Sequence, residues 1–435
     1  MITACKSVML FLAFVLISQS LSADERELKK PLDVYLRSAK IDIVAGRNDS
    51  AVVYLERLFE HYGPHAEALY WMAQIQVDFL EKASGPTAKQ PYVEKMVAYI
   101  DSLNMCCENK EIKKKYRKDC KKYLDVTDSL LVKYWRQFFN DGLRQFNLAE
   151  ELKADLGTIE DSVTRANMEE DIRANLDTCI QNMSLTIMCI ADSSRPYLII
   201  DKAYGIRGKY EKGIEWLKKA YEVANDSATI QQSLAYDYIQ IDDYCGAIPY
   251  YQDWVNSNPG DPQLTRIMTN LSICYSRCDL PDSALALYYR ILAIDPENVD
   301  MLASVGNHFN NVARAAADSV SYYMGENNQA QADVWTAEKN EAFDSARVYF
   351  GRAFELRPDD VAIAELYAVI CALLEDFEAA AVGFHRLTEL EPQLPGNWTY
   401  LGDCYISLKQ FNKAAAAYEK VVELEPDNIS VWEHL

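Results

Sequence analysis

Histidine is nearly missing from this chain: 435 residues contain five, His61, His65, His308, His385 and His434. No two of them form an H-E-x-x-H pair, and His61 and His65 flank Tyr62-Gly63-Pro64, a break at the end of a helix. Glycine is short too, at 16 residues, with neither a phosphate-cradling loop nor a G-x-S-x-G elbow among them. Basic residues number 44 against 65 acids, for a net charge of −21. Such a chain repels a phosphate backbone and has few groups to displace its counterions, which argues against a nucleic-acid partner. Beyond residues 7–21 no run of 18 or more apolar residues occurs, so the rest of the chain is expected not to span a membrane. Together these absences leave no catalytic, cofactor-binding or metal-ligating residue to nominate. A non-enzymatic chain is the expectation.

What is present is a period. Trp398 recurs 34 residues on as Trp432, and three unlike residue classes share that step: Ala346, Ala380 and Ala414; Phe350, Phe384 and Tyr418; Pro358, Pro392 and Pro426. The frame continues upstream through Ala284, Tyr288 and Pro296, and through Ala247, Tyr251 and Pro259 after a 37-residue step. A second signature runs large, small, aromatic: Leu234-Ala235/Tyr238, Leu271-Ser272/Tyr275, Val305-Gly306/Phe309 and Leu401-Gly402/Tyr405, with Ile200/Tyr204 and Tyr367-Ala368/Cys371 as variants. Small residues such as Gly402 and Ala414 let two helices of a hairpin approach closely, while Tyr405 and Tyr418 fill the space beside them. Each hairpin leaves an apolar face uncovered, so stability requires stacking on neighbours. The pattern resembles the tetratricopeptide repeat, most fully over residues 395–428. That resemblance implies an all-α fold: a right-handed α-solenoid of stacked helical hairpins, about six in series.

Organisation along the chain follows from where the frame holds. Residues 1–23 read as a secretory signal: an apolar run, SVMLFLAFVLISQSL, sits between Lys6 and the small residues Ser20, Ser22 and Ala23. The mature chain is then exported, periplasmic or extracellular, unless the run stays as an uncleaved anchor. Residues 24–90 show degenerate helical repeats, with Ala51, Leu55 and Leu58 on one face, and SGPTAKQP at 84–91 reads as a linker. Over 91–193 the spacing stays helical but the 34-residue frame is lost, a divergent long-helix region. The repeat array occupies 194–428. Within it, Phe309 and Ala346 are separated by 28 residues more than the frame allows, which predicts an extended helical hairpin at about 310–341 projecting about 21 Å. Residues 429–435 begin a further first helix with Trp432.

Candidate contacts follow. Tyr322, Tyr323, Met324 and Trp335 gather at the predicted spur's turn, where they either form a binding tip or close the hairpin on itself. By the resemblance, an inner groove holding a protein or peptide partner would include Gln232, Tyr236, Thr269, Ile273, Asn307, Glu365, Thr399 and Asp403. These first helices offer no basic set to clamp a C-terminal carboxylate. The run KEIKKKYRKDCKK at 110–122 concentrates eight basic residues, either a solvated helix face or a contact for an anionic surface. Asp242-Asp243 forms a turn. Six Asn-x-Ser/Thr sequons occur, at Asn48, Asn182, Asn225, Asn270, Asn397 and Asn428, of which Asn270 falls mid-helix.

Of eleven cysteines, Cys274, Cys371 and Cys404 sit at or beside the motif aromatic and read as small core residues; neither Cys106/Cys107 nor Cys274/Cys278 has a second ligand pair at zinc spacing. Cys106 or Cys107 with Cys120 is the disulfide candidate. The expected function is a secreted or periplasmic scaffold for protein–protein interaction. Its rivals are an envelope adaptor using residues 110–122 and an enzyme with a site hidden in 92–193. No cofactor is expected, and the oligomeric state is open.

Overall fold

A computed structural model describes residues 30–223 and 227–426. The signal reading at 1–23, the start of a helix at 429–435, His434 and the sequons at Asn225 and Asn428 lie outside them. Among the described residues there is no strand, and eighteen α-helices follow one another as antiparallel pairs, an α-solenoid. Two units divide the chain after Asp242.

The first unit contains α1 (Leu32–Val44), α2 (Asn48–Tyr62), α3 (Ala66–Lys82), α4 (Pro86–Glu108), α5 (Cys120–Leu156), α6 (Ser162–Cys189), α7 (Ser194–Ile206), α8 (Tyr210–Val223) and α9 (Ser227–Gln240). Ala51, Leu55 and Leu58 are buried with Leu69 and Met72 in one core; Val93, Met96, Ile100, Tyr134 and Phe138 are buried in the next. The expected linker at 84–91 is instead helix from Pro86 onward. Gly85 takes a φ of +79°, and Pro86 occupies the first helical position, where a missing N–H costs nothing because that N–H has no partner in any helix. Pro and Gly here start a helix.

The second unit contains α10 (Tyr244–Ser257), α11 (Leu264–Arg277), α12 (Pro281–Ile294), α13 (Val299–Gly325), α14 (Gln329–Leu356), α15 (Val361–Leu373), α16 (Phe377–Leu390), α17 (Pro395–Ser407) and α18 (Phe411–Leu424). Its turns repeat one device. Asp279, Glu375 and Lys409 each adopt a left-handed φ of 55–61°, and the next N–H returns to a carbonyl five residues back: Leu280 to Tyr275, Asp376 to Cys371, Gln410 to Tyr405, at 2.8–3.0 Å. This closes the orphan carbonyls at the helix end. The aromatic position of the repeat is thus both a core filler and the anchor of its turn.

Close approach is set by the small residues. A methyl added at Gly402 would lie 2.5 Å from the Tyr418 ring, at Gly306 2.8 Å from Phe350, and at Gly383 2.7 Å from the Ala368 methyl. Ala346, Ala380, Ala414, Phe350 and Tyr418 are buried as the period requires. One disulfide, Cys245–Cys278, joins α10 to the end of α11. The sequence reading missed it, although its 33-residue separation is nearly one repeat period.

Candidate functional site

The longest departure from the repeat in the second unit is the α13/α14 pair. These helices run 27 and 28 residues where the others of the unit run 13 or 14. Alanines let the extra turns pack: Ala313, Ala316, Ala332 and Ala342 are buried between the two helices. Asn328 closes the far turn, accepting the Gln331 N–H at 3.3 Å while its own N–H reaches the Tyr323 carbonyl at 2.9 Å. Asn327, at φ +54°, takes the left-handed position. With about 14 added residues per helix the pair projects about 20 Å.

Its tip divides the predicted contact set. Tyr322 is 63% exposed and Met324 52%, while Tyr323 and Trp335 are half-buried. Tyr322 meets Tyr323 edge-on with ring centroids 5.2 Å apart. The two aromatic roles anticipated for this turn are therefore shared out: Tyr323 and Trp335 lean into the hairpin, and Tyr322 and Met324 face outward. Val334, 58% exposed on the α14 side, extends that outward patch and was not anticipated.

Along the first helices the predicted groove residues occupy two frame positions. In the first unit Tyr236 is exposed beside Tyr210, and Gln232 is half-buried. In the second, Ile273, Asn307, Glu365 and Asp403 are exposed. Thr269 and Thr399 are half-buried, their hydroxyls donating to the carbonyls one turn back, of Thr265 and Pro395. Asp403 accepts the Tyr418 hydroxyl at 2.6 Å, so it also ties α17 to α18. The residue that follows the small one in each repeat is exposed in every case, and in α15 that residue is Val369. Val369 was overlooked although its place after Ala368 marks it.

The basic run at 110–122 is helical only at its end, where Lys121 and Lys122 open α5. Cys107–Cys120 closes residues 108–119 into a loop with one short 3₁₀ turn, Lys114–Tyr116. Of the two cysteines expected to pair with Cys120, the partner is Cys107, and Cys106 is a buried thiol. Tyr116 anchors the loop, buried against the His65 ring at 5.4 Å, and Arg117 donates to the Ile112 carbonyl at 3.0 Å. Seven lysines remain exposed. Among the described residues none of them forms an ion pair.

Burial pushes the thiols of Cys106, Cys274, Cys371 and Cys404 up to about 11 and those of Cys179 and Cys189 to about 12, far from the thiolate a nucleophile requires. Burial likewise lowers His65 from the ordinary imidazole range. Among the described residues no three His, Cys, Asp or Glu side chains gather as a metal site would need, and no helix is long and apolar enough to cross a membrane. Of the four sequons among the described residues, Asn48, Asn182 and Asn397 are buried, and Asn270 donates to the Tyr251 hydroxyl at 3.3 Å.

One buried acid pair departs from the repeat. Asp201 stands where the neighbouring first helix has the small residue Ala235, and Asp237 one helix later; they are 7% and 3% exposed. Gly213 replaces the frame's alanine because both carboxylates need that space: a methyl there would lie 2.5 and 2.6 Å from their oxygens. Asp201 Oδ1 and Asp237 Oδ2 have no donor from elsewhere. Burial, and then the neighbouring Asp201, push Asp237 up to about 9. One proton shared between the two carboxyls therefore holds α7 to α9 across α8.

No curated protein matches. Solved structures that match include a MamA protein at 14% identity (47% of this chain, 95% of that one, TM-score 0.33) and a thermophilic TPR protein in Thermus thermophilus at 17% (47% and 95%, TM-score 0.27). A third is MamA 41-end from Desulfovibrio magneticus RS-1, at 14% (47% and 98%, TM-score 0.33). Likeness at that level says nothing about what the chain binds. Residues 398–428 match the family model of the tetratricopeptide repeat, a stretch that takes in α17 from Trp398 and all of α18. The last described hairpin is thus similar to that repeat, and the same order of large, small and aromatic positions recurs upstream.

Proposed function

We infer that the protein is an exported, non-catalytic scaffold that holds a protein partner through the outward face of the α13/α14 tip. The observation that supports this most is the exposure of Tyr322, Met324 and Val334 on a projecting hairpin, because large apolar side chains at such a position gain from burial against a partner. The exposed row on the first helices, Ile273, Asn307, Val369 and Asp403, supplies a second contact along the same unit. Two disulfides favour an oxidising compartment, consistent with export. The raised pKa of the buried thiols among the described residues favours a role without thiol chemistry.

Affinity capture with residues 24–435, wild type beside Tyr322→Ala/Met324→Ala, tests the reading. Both side chains are exposed, so the variant keeps the fold, and Trp335 is left in place because it helps close the hairpin. Loss of a specific partner from the variant supports docking at the tip; an unchanged partner set moves the contact to the first-helix row.

The seven exposed lysines of the basic run, five of them in the disulfide-closed loop, favour a second reading, in which the scaffold also rests on an anionic surface. Sedimentation with phosphatidylglycerol vesicles checks it. Binding should weaken as salt rises and when Lys113, Lys114 and Lys115 are all changed to Gln; binding that ignores both changes rules it out.

A further inference from the structure

In the first unit α5 and α6 run 37 and 28 residues, whereas α7 beside them runs 13. The end of α7 therefore stops partway along α6. Arg207, just past α7, fixes the place: its Nη1 donates to Asp177 at 2.8 Å and its Nη2 to the Arg173 carbonyl at 2.6 Å. Beyond that tie the long pair continues without α7 alongside, and the corner is a cavity of about 550 Å³.

Its lining has two characters. Leu156, Ile172, Leu176 and Ile206 give an apolar floor. Lys153, Arg173, Arg207 and Lys209 stand around it against one acid, Glu169. In a chain of net charge −21, four cations to one anion is a local reversal of sign. Among the described residues Lys153, Arg173 and Lys209 form no ion pair. Arg207 spends both Nη groups on α6 and keeps a buried Nε without an acceptor. A buried N–H left unpaired is unfavourable, and an incoming anion would relieve it. Helix dipoles favour Lys153 in the last turn of α5 and Arg207 at the end of α7, but they give nothing to Arg173 in the body of α6. Helix-end electrostatics alone does not account for the cluster.

The lining contains no serine, cysteine or histidine and is dominated by cations over an apolar floor, a composition suited to recognition. Pockets of about 300–1,000 Å³ hold small molecules, and an apolar floor beneath convergent charges is their usual composition. We propose that this corner binds a small amphiphile, a phosphate or carboxylate head on an apolar body, with the head among Lys153, Arg173, Arg207 and Lys209 and the body on the floor. This site is separate from the protein contacts on the second unit and stands whether or not those are right.

Calorimetric titration of residues 24–435 with octyl phosphate and with octanoate, below micelle-forming concentrations, tests the proposal. Octanol lacks the charge and inorganic phosphate lacks the body. Saturable binding of one octyl anion, with octanol and inorganic phosphate each weaker by about tenfold or more, is the expected result, and the stronger anion identifies the head. Arg173→Glu/Lys209→Glu reverses two exposed charges and should weaken the anion by about tenfold while circular dichroism and melting temperature stay put. Lys113→Glu/Lys114→Glu in the disulfide-closed loop should leave it unchanged. The proposal is overturned if no octyl anion binds saturably, if octanol binds equally well, or if the loop variant and not the corner variant abolishes binding.

Discussion

Each unit of the chain contains one hairpin about twice as long as its neighbours, and the two end differently. In the first, α5/α6 overhangs the short α7, and Arg207 ties the end of α7 to α6, so the overhang becomes a charged corner with an apolar floor. In the second, α13/α14 overhangs equally, but no described hydrogen bond or ion pair ties residues 318–338 to another helix pair, and the tip presents Tyr322 and Met324 to solvent. Extra helix length by itself makes neither a pocket nor a knob. What decides is whether a shorter neighbour reaches far enough to form a corner. The same contrast runs through the cores: the second unit buries small and aromatic residues in register, while the first buries a carboxyl pair and closes a basic loop with a disulfide.

The disulfides give the largest test, because each unit has one and their loops differ in length. Cys245–Cys278 spans 33 residues and Cys107–Cys120 spans 13. By loop-closure entropy, Cys245→Ser/Cys278→Ser should cost about 4 kcal/mol and Cys107→Ser/Cys120→Ser about 3 kcal/mol. Denaturant midpoints of the two double variants measure this. A larger loss from the short loop would mean that holding its five repelling lysines together matters more than loop length.

Next comes the acid pair, which only the first unit has. The folded-state pKa of Asp237, about 9, lies above the ordinary carboxylate value of roughly 3.9, so the fold takes up a proton that the unfolded chain releases. Stability from this pair is fully present below about pH 4 and is lost as pH rises through about 9. Lys202 on α7 and Tyr210 on α8 are the other titratable groups coupled to the pair. Asp237→Asn keeps a donor toward Asp201 without needing the proton. It should raise the melting temperature at pH 9 by about 5 °C and flatten its fall between pH 5 and 9. A wild-type melting curve that is flat over that range contradicts a shared proton.

The fold was legible where one residue type did one job at a fixed interval. Ala346, Phe350 and Pro358 recur because every hairpin solves the same packing problem, and the 28-residue excess between Phe309 and Ala346 could be measured against that ruler. In the first unit there was no ruler. SGPTAKQP read as a linker because Pro and Gly were weighed as breakers, whereas Pro86 and Gly85 start α4. The lysine run was open between a helix face and an anionic contact, and pairing Cys106 or Cys107 with Cys120 did not by itself say that most of the run forms a loop. The charged corner was invisible for a different reason: Lys153, Arg173 and Lys209 lie on three separate elements, and only the mismatch in length between α6 and α7 brings them together. At the spur tip the four residues were legible as a group, but which of them face outward depends on helix phase at the turn, which Asn327 and Asn328 set.

A smaller effect compares the two long pairs at their closest approach. In α13, a methyl at Gly306 would meet the rigid Phe350 ring at 2.8 Å from two directions, Cδ2 and Cε2. In α5, a methyl at Gly142 would meet the flexible end of Met183 at 2.9 Å, with Asn182 and the Cys179 carbonyl at 3.2 and 3.3 Å. Alanine gains about 1 kcal/mol of helix propensity at either site. Against that, displacing a ring costs about 1–3 kcal/mol, and bending a methionine costs less. Gly306→Ala should therefore destabilise by about 1–2 kcal/mol and Gly142→Ala should be nearly neutral, as thermal unfolding of the two variants would reveal.

The smallest effect concerns the left-handed residue of the turn. Gly208 holds it after α7 and Glu375 holds it after α15, at φ of +65° and +61°. A side chain at 208 would meet nothing within 4 Å, so Gly208→Ala isolates the backbone cost, about 1 kcal/mol. Glu375 already bears that strain and is exposed, so Glu375→Gly relieves it, but glycine also loosens the unfolded chain, which returns part of the gain. A net stabilisation of about 0.5 kcal/mol follows. If both changes destabilise, Glu375 contributes through its side chain, and the turns of the two units are not equivalent despite sharing a frame position. If they move in opposite directions by these amounts, the turn is the same device in both units, and the differences between the units lie in what their helices bury and how far they overhang.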